Sequence, residues 1–258
     1  MKGGFPVGIS VEELRRRVRD AGEFIDDFES VSPYWSYRRD NFAGFEHEGS
    51  VLRLWVGPTE ALYYSNAELS DGEFDDLPWF RKTFEAKVRL SGLHYGSAGW
   101  GFWNHTMVFD SCMPIWFIHL RSKGPYMLQG FFAQVRNHLY PIKLYEGSIA
   151  LLSAITRLAG GRLGVVIHSG RPSMQGLDLT QWHVYKVEWL EQEVRFYVDG
   201  ELAARLPGEG CKWRARADLW IDNAVFGYNR RDAGRVYRHL TQENRQRVYL
   251  EVDWVRVR

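Results

Sequence analysis

The sequence predicts an all-β fold with one or two short helices. Runs in which apolar and polar residues alternate recur along most of the chain, and turn signals such as the Asp-Gly pair in VDGEL separate them. The chain has 258 residues, 45% of them hydrophobic and 15% aromatic, which is enough to build a large core. Single all-β domains often reach this length, so we expect one domain rather than two.

The first element in chain order is a helix over residues 10–21. Ser10 is a suitable N-cap, and Glu13 follows at the spacing of a capping box. Apolar residues recur on one face of the segment, at Val11, Leu14 and Val18. We therefore predict that residues 1–23 form an N-terminal helical extension and that residues 24–258 form a single all-β domain.

Strand patterns dominate the rest of the chain. They occur in the order VLRLWV, TFEAKVRLS, MPIWFIHLRS, YMLQGFFAQVRN, LGVVIHS, HVYKVEWLEQEVRFYVDGEL, DLWIDNAVF and VYLEVDWVRVR. In TFEAKVRLS the apolar residues share one face and the charged residues share the other, which is typical of a strand with one solvated side. The alternating runs YKVEWL and VRFYVDGEL predict a hairpin. Residues 145–160 instead show helical spacing, which predicts a second short helix.

Composition excludes several classes of function. The net charge of +1 argues against a dedicated nucleic-acid-binding protein. No segment approaches 18 consecutive apolar residues, and the N-terminus lacks a signal-peptide pattern, so we expect a cytoplasmic protein that does not bind membranes. Cys112 and Cys211 are too few for a disulfide framework. A single bridge and two free thiols both remain open, and two free thiols are our expectation.

Several of these segments, in the same order, resemble the concanavalin A-like lectin/glucanase superfamily and in particular the family 16 glycoside hydrolases. The resembling segments are FIDDFES with YWSY, FEAKVRL, WHVYKVEWLEQEVRFYVDGEL and LEVDWVRVR, which span residues 24–258. The resemblance implies a jelly-roll β-sandwich of two antiparallel curved sheets, with FEAKVRL, GWGFWN and PIWFIHL adjacent in the concave sheet. SNAELSDGEFDDLP, GWGFWN and PIWFIHL more closely resemble a group of uncharacterised bacterial members.

The catalytic motif of that family is missing. Family 16 enzymes carry Glu-x-Asp-x-x-Glu on a concave strand, because retaining hydrolysis needs two carboxyl groups about 5 Å apart. The corresponding strand here, PIWFIHLRS, contains no acidic residue. Asp71, Glu73 and Asp76 have the same spacing elsewhere, but glycine and proline neighbours predict a solvated acidic loop. As an alternative, this loop binds a cation or sugar hydroxyls together with Glu68.

Period-two alternation predicts which side chains line the concave groove. In PIWFIHLRS one set is wholly apolar, Trp116, Ile118 and Leu120, and is assigned to the core. The other set ends in His119 and Arg121 and is assigned to the groove. In GSAGWGFWNHT, one aromatic set should pack the sandwich and the other should line the groove. The predicted carbohydrate-binding residues are Trp103, Asn104, His119, Arg121, Trp220 and Asn223.

Three functions are compatible with these patterns. The first is a carbohydrate-binding jelly roll that binds an oligo- or polysaccharide and is not catalytic in the family 16 manner. The alternative is a glycoside hydrolase or polysaccharide lyase with a rearranged site on the concave sheet, and the third is a structural or assembly protein. The resemblance also implies a structural calcium ion at Asp253, in the closing strand LEVDWVRVR, and no other cofactor.

Overall fold

The computed structural model describes residues 9–72, 76–105, 112–122, 129–146, 166–225 and 240–258. Helix α1 spans Val11–Ala21 and confirms the predicted N-terminal helix. The Ser10 side chain accepts a hydrogen bond of 3.2 Å from the Glu13 amide, as expected of an N-cap. Gly22 ends the helix in the left-handed conformation, with φ 68°.

The strands in these ranges form two sheets packed face to face, which confirms the predicted β-sandwich. Sheet A has the order β14-β13-β12-β6-β16-β4-β3 with β1 beside β16, and sheet B has the order β11-β10-β9-β8-β7-β15-β5-β2. Among the described pairings, β10 and β11 are parallel and the others are antiparallel. The strands are β1 Phe24–Asp26, β2 Ser36–Asp40, β3 Ala43–Glu48, β4 Val51–Val56, β5 Asn66–Ser70, β6 Thr83–Leu90, β7 Gly96–Trp103, β8 Ile115–Arg121, β9 Gly130–Val135, β10 His138–Leu144, β11 Val166–Ile167, β12 His183–Trp189, β13 Glu193–Val198, β14 Glu201–Pro207, β15 Arg216–Asp222 and β16 Val248–Val257.

One predicted adjacency is wrong. GWGFWN and PIWFIHL are neighbours in sheet B, as strands β7 and β8, but FEAKVRL is strand β6 and lies in sheet A between β12 and β16. Alternation shows that a strand has one face toward the core, but strands of both sheets of a sandwich have such a face. It therefore cannot tell which of the two sheets a strand joins. The outward charges of β6 pair within sheet A, where Arg89 contacts Glu251 and Lys87 lies 2.8 Å from Asp253.

The core between the sheets is rich in aromatic pairs. Phe84 of β6 meets Phe102 of β7 at 5.9 Å between ring centroids, and Trp100 of β7 meets Tyr185 of β12 at 4.7 Å. Such pairs contribute about 0.5–1.5 kcal/mol each beyond the area they bury. They fix β7 against sheet A, so that its opposite face is presented outward in a defined position.

The two cysteines form a disulfide bond, so the expectation of free thiols is wrong. Cys112 and Cys211 are 99 residues apart in sequence, and their Cα atoms are 5.1 Å apart. The bridge joins the segment before β8 to the segment after β14. Only the folded topology brings these segments together, and the spacing of the cysteines in the sequence carries no sign of it.

Some predictions fall outside the described residues. Most of the second predicted helix lies within residues 147–165, and Glu73 lies within residues 73–75. In the part of the chain that the structure describes, no helix has both the length and the apolar character that crossing a membrane requires.

Candidate functional site

Strand β8 presents its two faces in the reverse of the predicted arrangement. Ile115 and Phe117 join the main core between the sheets. Trp116, Ile118 and Leu120 lie on the outer face of sheet B, in a second apolar cluster. The other buried members of that cluster are Phe132, Leu139, Ile167, Trp220 and Val225. Both faces of β8 are therefore largely apolar. The positions of His119 and Arg121 near its end do not show which face points outward.

His119 lies on the inner face because the fold supplies its hydrogen bonds. Its ring is fully buried, with Nε2 3.1 Å from the His94 carbonyl oxygen and Nδ1 2.6 Å from the Tyr145 hydroxyl oxygen. Because a carbonyl oxygen can only accept, Nε2–H is the donor to His94. In the neutral ring Nδ1 is then the acceptor from the Tyr145 hydroxyl. Arg121 donates to the Leu93 carbonyl and stacks 4.3 Å from the Tyr95 ring centroid. Buried polar groups are tolerated when they are bonded in this way, and His119 and Arg121 are therefore not on the predicted groove face.

The buried histidines predict a loss of stability in acid. Burial lowers the pKa of His94 from 6.5 to about 4, so its stabilising contribution is complete above pH 6.5 and is lost as the pH falls toward 4. We expect His94→Gln to reduce this loss. The difference in unfolding free energy between wild type and His94→Gln should change by at most about 1.4 kcal/mol per pH unit. Denaturant titrations between pH 4 and 7 measure it. His183→Gln, in the β12 hairpin, is the control, and parallel curves for wild type and His94→Gln would contradict the prediction.

A row of three tryptophans follows the outer face of sheet B. Ring centroids are 5.9 Å apart between Trp103 and Trp116, and 4.2 Å apart between Trp116 and Trp220. Trp116 and Trp220 are buried, whereas Trp103 is half-buried. A side chain at Gly99 would lie 2.2 Å from the Trp220 ring, so this ring occupies the space above a glycine. The prediction that Trp116 packs in the core between the sheets is wrong. Alternation alone therefore did not identify Trp116 as part of this row.

A charged cluster borders the Trp103 end of the row. The Arg216 guanidinium lies 5.6 Å from the Trp103 ring centroid, and Arg216 Nη2 contacts Glu68 Oε1. The same nitrogen is 3.9 Å from Asp218 Oδ1 and 2.9 Å from Nδ1 of His105. Sequence reasoning missed Arg216 and Asp218. The alternation of RADLWID could have identified them, because Arg216 and Asp218 lie on the same strand face as Trp220.

Burial perturbs the ionisable groups of this cluster. The pKa of Asp218 is raised well above its usual value by burial and by the neighbouring Glu68 charge. The pKa of His105 is lowered to about 3, by burial first and by the Arg216 charge second. At neutral pH the His105 imidazole is therefore neutral, and burial favours the uncharged form of the Asp218 carboxyl group.

Comparison with known proteins identifies the fold. No protein-family model matches the sequence, and no curated protein matches it significantly. Solved structures do match. One comes from work on endo-acting O-glycanases of the human gut microbiota, at 18% identity and TM-score 0.55, covering 91% of this chain and 97% of that one. A β-1,3-glucanase from Mycobacterium marinum has 15% identity and TM-score 0.54, with 91% and 97% covered.

A third match belongs to a glycoside hydrolase family. It is a family 16 endo-glucanase from Bacteroides ovatus in complex with G4G3G-2F-DNP, at 15% identity and TM-score 0.51, covering 91% of this chain and 99% of that one. The chain has the fold of the family 16 glycoside hydrolases. On β8, the strand to which the family resemblance assigns the catalytic acids, the outward positions are instead Trp116, Ile118 and Leu120.

At its described residues Glu68 and Asp71, the acidic segment is buried and not solvated as the sequence predicted. Glu68 lies on strand β5, and Asp71 is 1% exposed. The Asp71 carboxylate accepts hydrogen bonds from the Trp79 indole, the Tyr34 hydroxyl and the Ala217 amide. Burial raises the pKa of Asp71 to about 7. Asp71 therefore joins the loop after β5 to β15 from inside the domain.

The remaining predicted residues occupy separate places. Asn104 is half-buried directly after β7, next to Trp103. Asn223 is buried, and its amide bonds the backbone of Ser65, Tyr63 and Thr241, which ties loops together and leaves no exposed surface for a sugar.

Asp253, at the position implied for the family 16 calcium ion, lies on the opposite side of the sandwich. Its carboxylate is 2.8 Å from Lys87 Nζ, which already supplies a positive charge. Within the described ranges, no group of three or more His, Cys, Asp or Glu side chains is arranged to hold a metal. The carboxylate of Asp253 therefore fits a calcium ion poorly, and the calcium site stays a prediction.

Proposed function

We propose that the outer face of sheet B binds an oligo- or polysaccharide around Trp103. The observation that carries this proposal is a half-buried indole that continues a tryptophan row and borders a charged cluster. An aromatic ring offers a flat apolar surface to the C–H face of a sugar. The carboxylate and guanidinium groups beside it match the hydrogen-bonding capacity of sugar hydroxyls.

The binding surface differs from the one predicted from the sequence. It consists of Trp103 and Asn104, with the buried residues Trp116, Trp220 and Arg216 holding them in place, whereas His119, Arg121 and Asn223 are engaged elsewhere. Arg38 of β2 extends the surface toward solvent, since its side chain is about half exposed and lies 3.8 Å from Glu68. Any cleavage of the ligand would not use carboxylates of β8, because that strand has none.

The proposal predicts that Trp103→Ala weakens glycan binding about 30-fold or more, since a central aromatic contact is worth at least about 2 kcal/mol. A glycan array that includes β-1,3-glucan and mucin O-glycans identifies the ligand, and calorimetry measures the affinity. Trp182→Ala is the matched control, because Trp182 is half-buried like Trp103 but its ring lies 4.7 Å from the Arg89 guanidinium of β6, in sheet A.

Other outcomes favour the competing functions. If Trp103→Ala binds as tightly as wild type, the sugar does not stack on this ring and the proposed surface is wrong. If no glycan on the array binds, the structural or assembly role becomes the better explanation.

The disulfide also bears on location. Disulfides persist mainly in oxidising compartments. The Cys112–Cys211 bridge therefore favours such a compartment over the cytoplasm that the sequence predicted, and quantifying free thiols in the protein from its native host tests this.

A further inference from the structure

Two carboxyl groups meet on the outer face of sheet B, away from strand β8. Glu68 belongs to β5 and Asp218 belongs to β15, and these strands pair with Glu68 opposite Trp220 and Asp218 opposite Ser70. Both side chains therefore lie on the outward face, in diagonal positions. We propose that Glu68 and Asp218 form the acid pair of a retaining glycoside hydrolase, with Glu68 as nucleophile and Asp218 as general acid. The inference rests on the proposed glycan binding at this surface.

One arginine connects the two groups to the sugar platform. Arg216 Nη2 contacts Glu68 and lies 3.9 Å from Asp218, while the same guanidinium is 5.6 Å from the Trp103 ring centroid. A sugar stacked on Trp103 would therefore lie beside the pair. Because one nitrogen atom contacts Glu68 Oε1 and lies 3.9 Å from Asp218 Oδ1, these two oxygen atoms are less than about 6.5 Å apart, which fits the short carboxyl separation of retaining enzymes better than the 6.5–9.5 Å of inverting ones.

The two carboxyl groups have different surroundings. Glu68 faces two guanidinium groups, those of Arg216 and Arg38, so its surroundings are positively charged. Asp218 is 1% exposed, and its Oδ1 has no hydrogen-bond partner in the described part of the chain. Burial and the adjacent Glu68 charge raise the pKa of Asp218 well above its usual value, which favours the protonated form. Carboxyl groups whose environments separate them in this way can act as base and acid in one site.

The chemistry balances with water as the only co-reactant. A Glu68 oxygen bonds to the anomeric carbon while the bond from that carbon to the glycosidic oxygen breaks, and the Asp218 proton moves to the leaving oxygen. Water then loses a proton to the Asp218 carboxylate, and its oxygen bonds to the anomeric carbon. This second step breaks the ester to Glu68 and restores both groups.

The test is hydrolysis of the glycans that the array identifies, with β-1,3-glucan and mucin O-glycans included in every assay. We expect new reducing ends with wild type, and a loss of about 100-fold or more in rate for Asp218→Asn and for Glu68→Gln. Binding affinity should remain similar in Asp218→Asn. Glu188→Gln is the matched control, since Glu188 pairs with Lys186 at 2.7 Å on β12 of sheet A and takes no part in the proposed steps.

A second measurement identifies the nucleophile directly. Incubation with an activated 2-deoxy-2-fluoro glycoside should add one glycosyl mass to the chain, and peptide mapping should place it on Glu68. This keeps the proposal testable if Glu68→Gln does not fold, because the measurement uses the wild-type protein.

The outcomes separate the two proposals. Glycans that bind but are never cleaved would overturn the acid pair and leave glycan binding intact. Cleavage that persists in Asp218→Asn, or labelling of a residue other than Glu68, would also overturn it. If no glycan binds, both proposals fail together.

Discussion

The Cys112→Ser/Cys211→Ser variant is expected to lose about 4–5 kcal/mol of stability. The bridge closes a loop with a sequence separation of 99 residues, and cross-linking a loop of about 100 residues removes unfolded-state entropy worth about 4.7 kcal/mol. For a chain of this size the melting temperature should fall by roughly 10–20 °C. Differential scanning calorimetry measures the shift.

The controls for the bridge use the same protein. Either single Ser variant should destabilise as much as the double variant, since each removes the bond, and wild type in a reducing agent should melt like the variants. Equal melting temperatures for oxidised and reduced wild type would show that the bridge contributes nothing to stability.

The second large effect is expected at the buried ion pair of the site. Arg216→Met leaves the buried Glu68 carboxylate with one cationic neighbour among the described residues, the more distant and partly exposed Arg38. Removing one partner of a buried pair costs about 3–5 kcal/mol, because the remaining charge is neither solvated nor paired. Urea titrations of wild type and variant give the change in unfolding free energy.

A double variant separates lost charge balance from lost packing. Glu68→Gln combined with Arg216→Met removes both charges, so it should be more stable than Arg216→Met alone. Arg195→Met is the matched control, because Arg195 pairs with Glu193 on the solvated face of β13 and its melting curve should be nearly unchanged. An Arg216→Met protein as stable as wild type would mean that Glu68 recovers hydration or a new partner.

Local patterns predicted the elements of this fold. The Ser10 cap and the β12–β13 hairpin depend on neighbouring residues, so their physics is contained in short segments. The same holds for GSAGWGFWNHT, where Trp100 and Phe102 enter the core while Trp103 lies on the outer face, as strand alternation requires. These predictions needed no knowledge of which segments meet.

The site depended on contacts between segments that are distant in sequence. His119 is buried because His94 and Tyr145 satisfy both ring nitrogens, and Arg216 matters because β5 and β15 pair and bring Glu68 to it. Alternation assigns a polar side chain to water, and it cannot identify a protein partner that will replace water. This is why it placed His119 and Arg121 in the groove and missed Arg216 and Asp218.

The sequence by itself determined that this chain is an all-β sandwich, that it resembles family 16 glycoside hydrolases, and that β8 carries no acid. The strands follow from period-two alternation, the sandwich from the family resemblance, and the missing acids from the residues of PIWFIHLRS. Only the tertiary structure decided which face of β8 is outward, that Cys112 meets Cys211, and which carboxyl groups share Arg216. The physical reason is that strand pairing and sheet packing set the surroundings of a side chain, and those surroundings determine its burial, charge and chemistry.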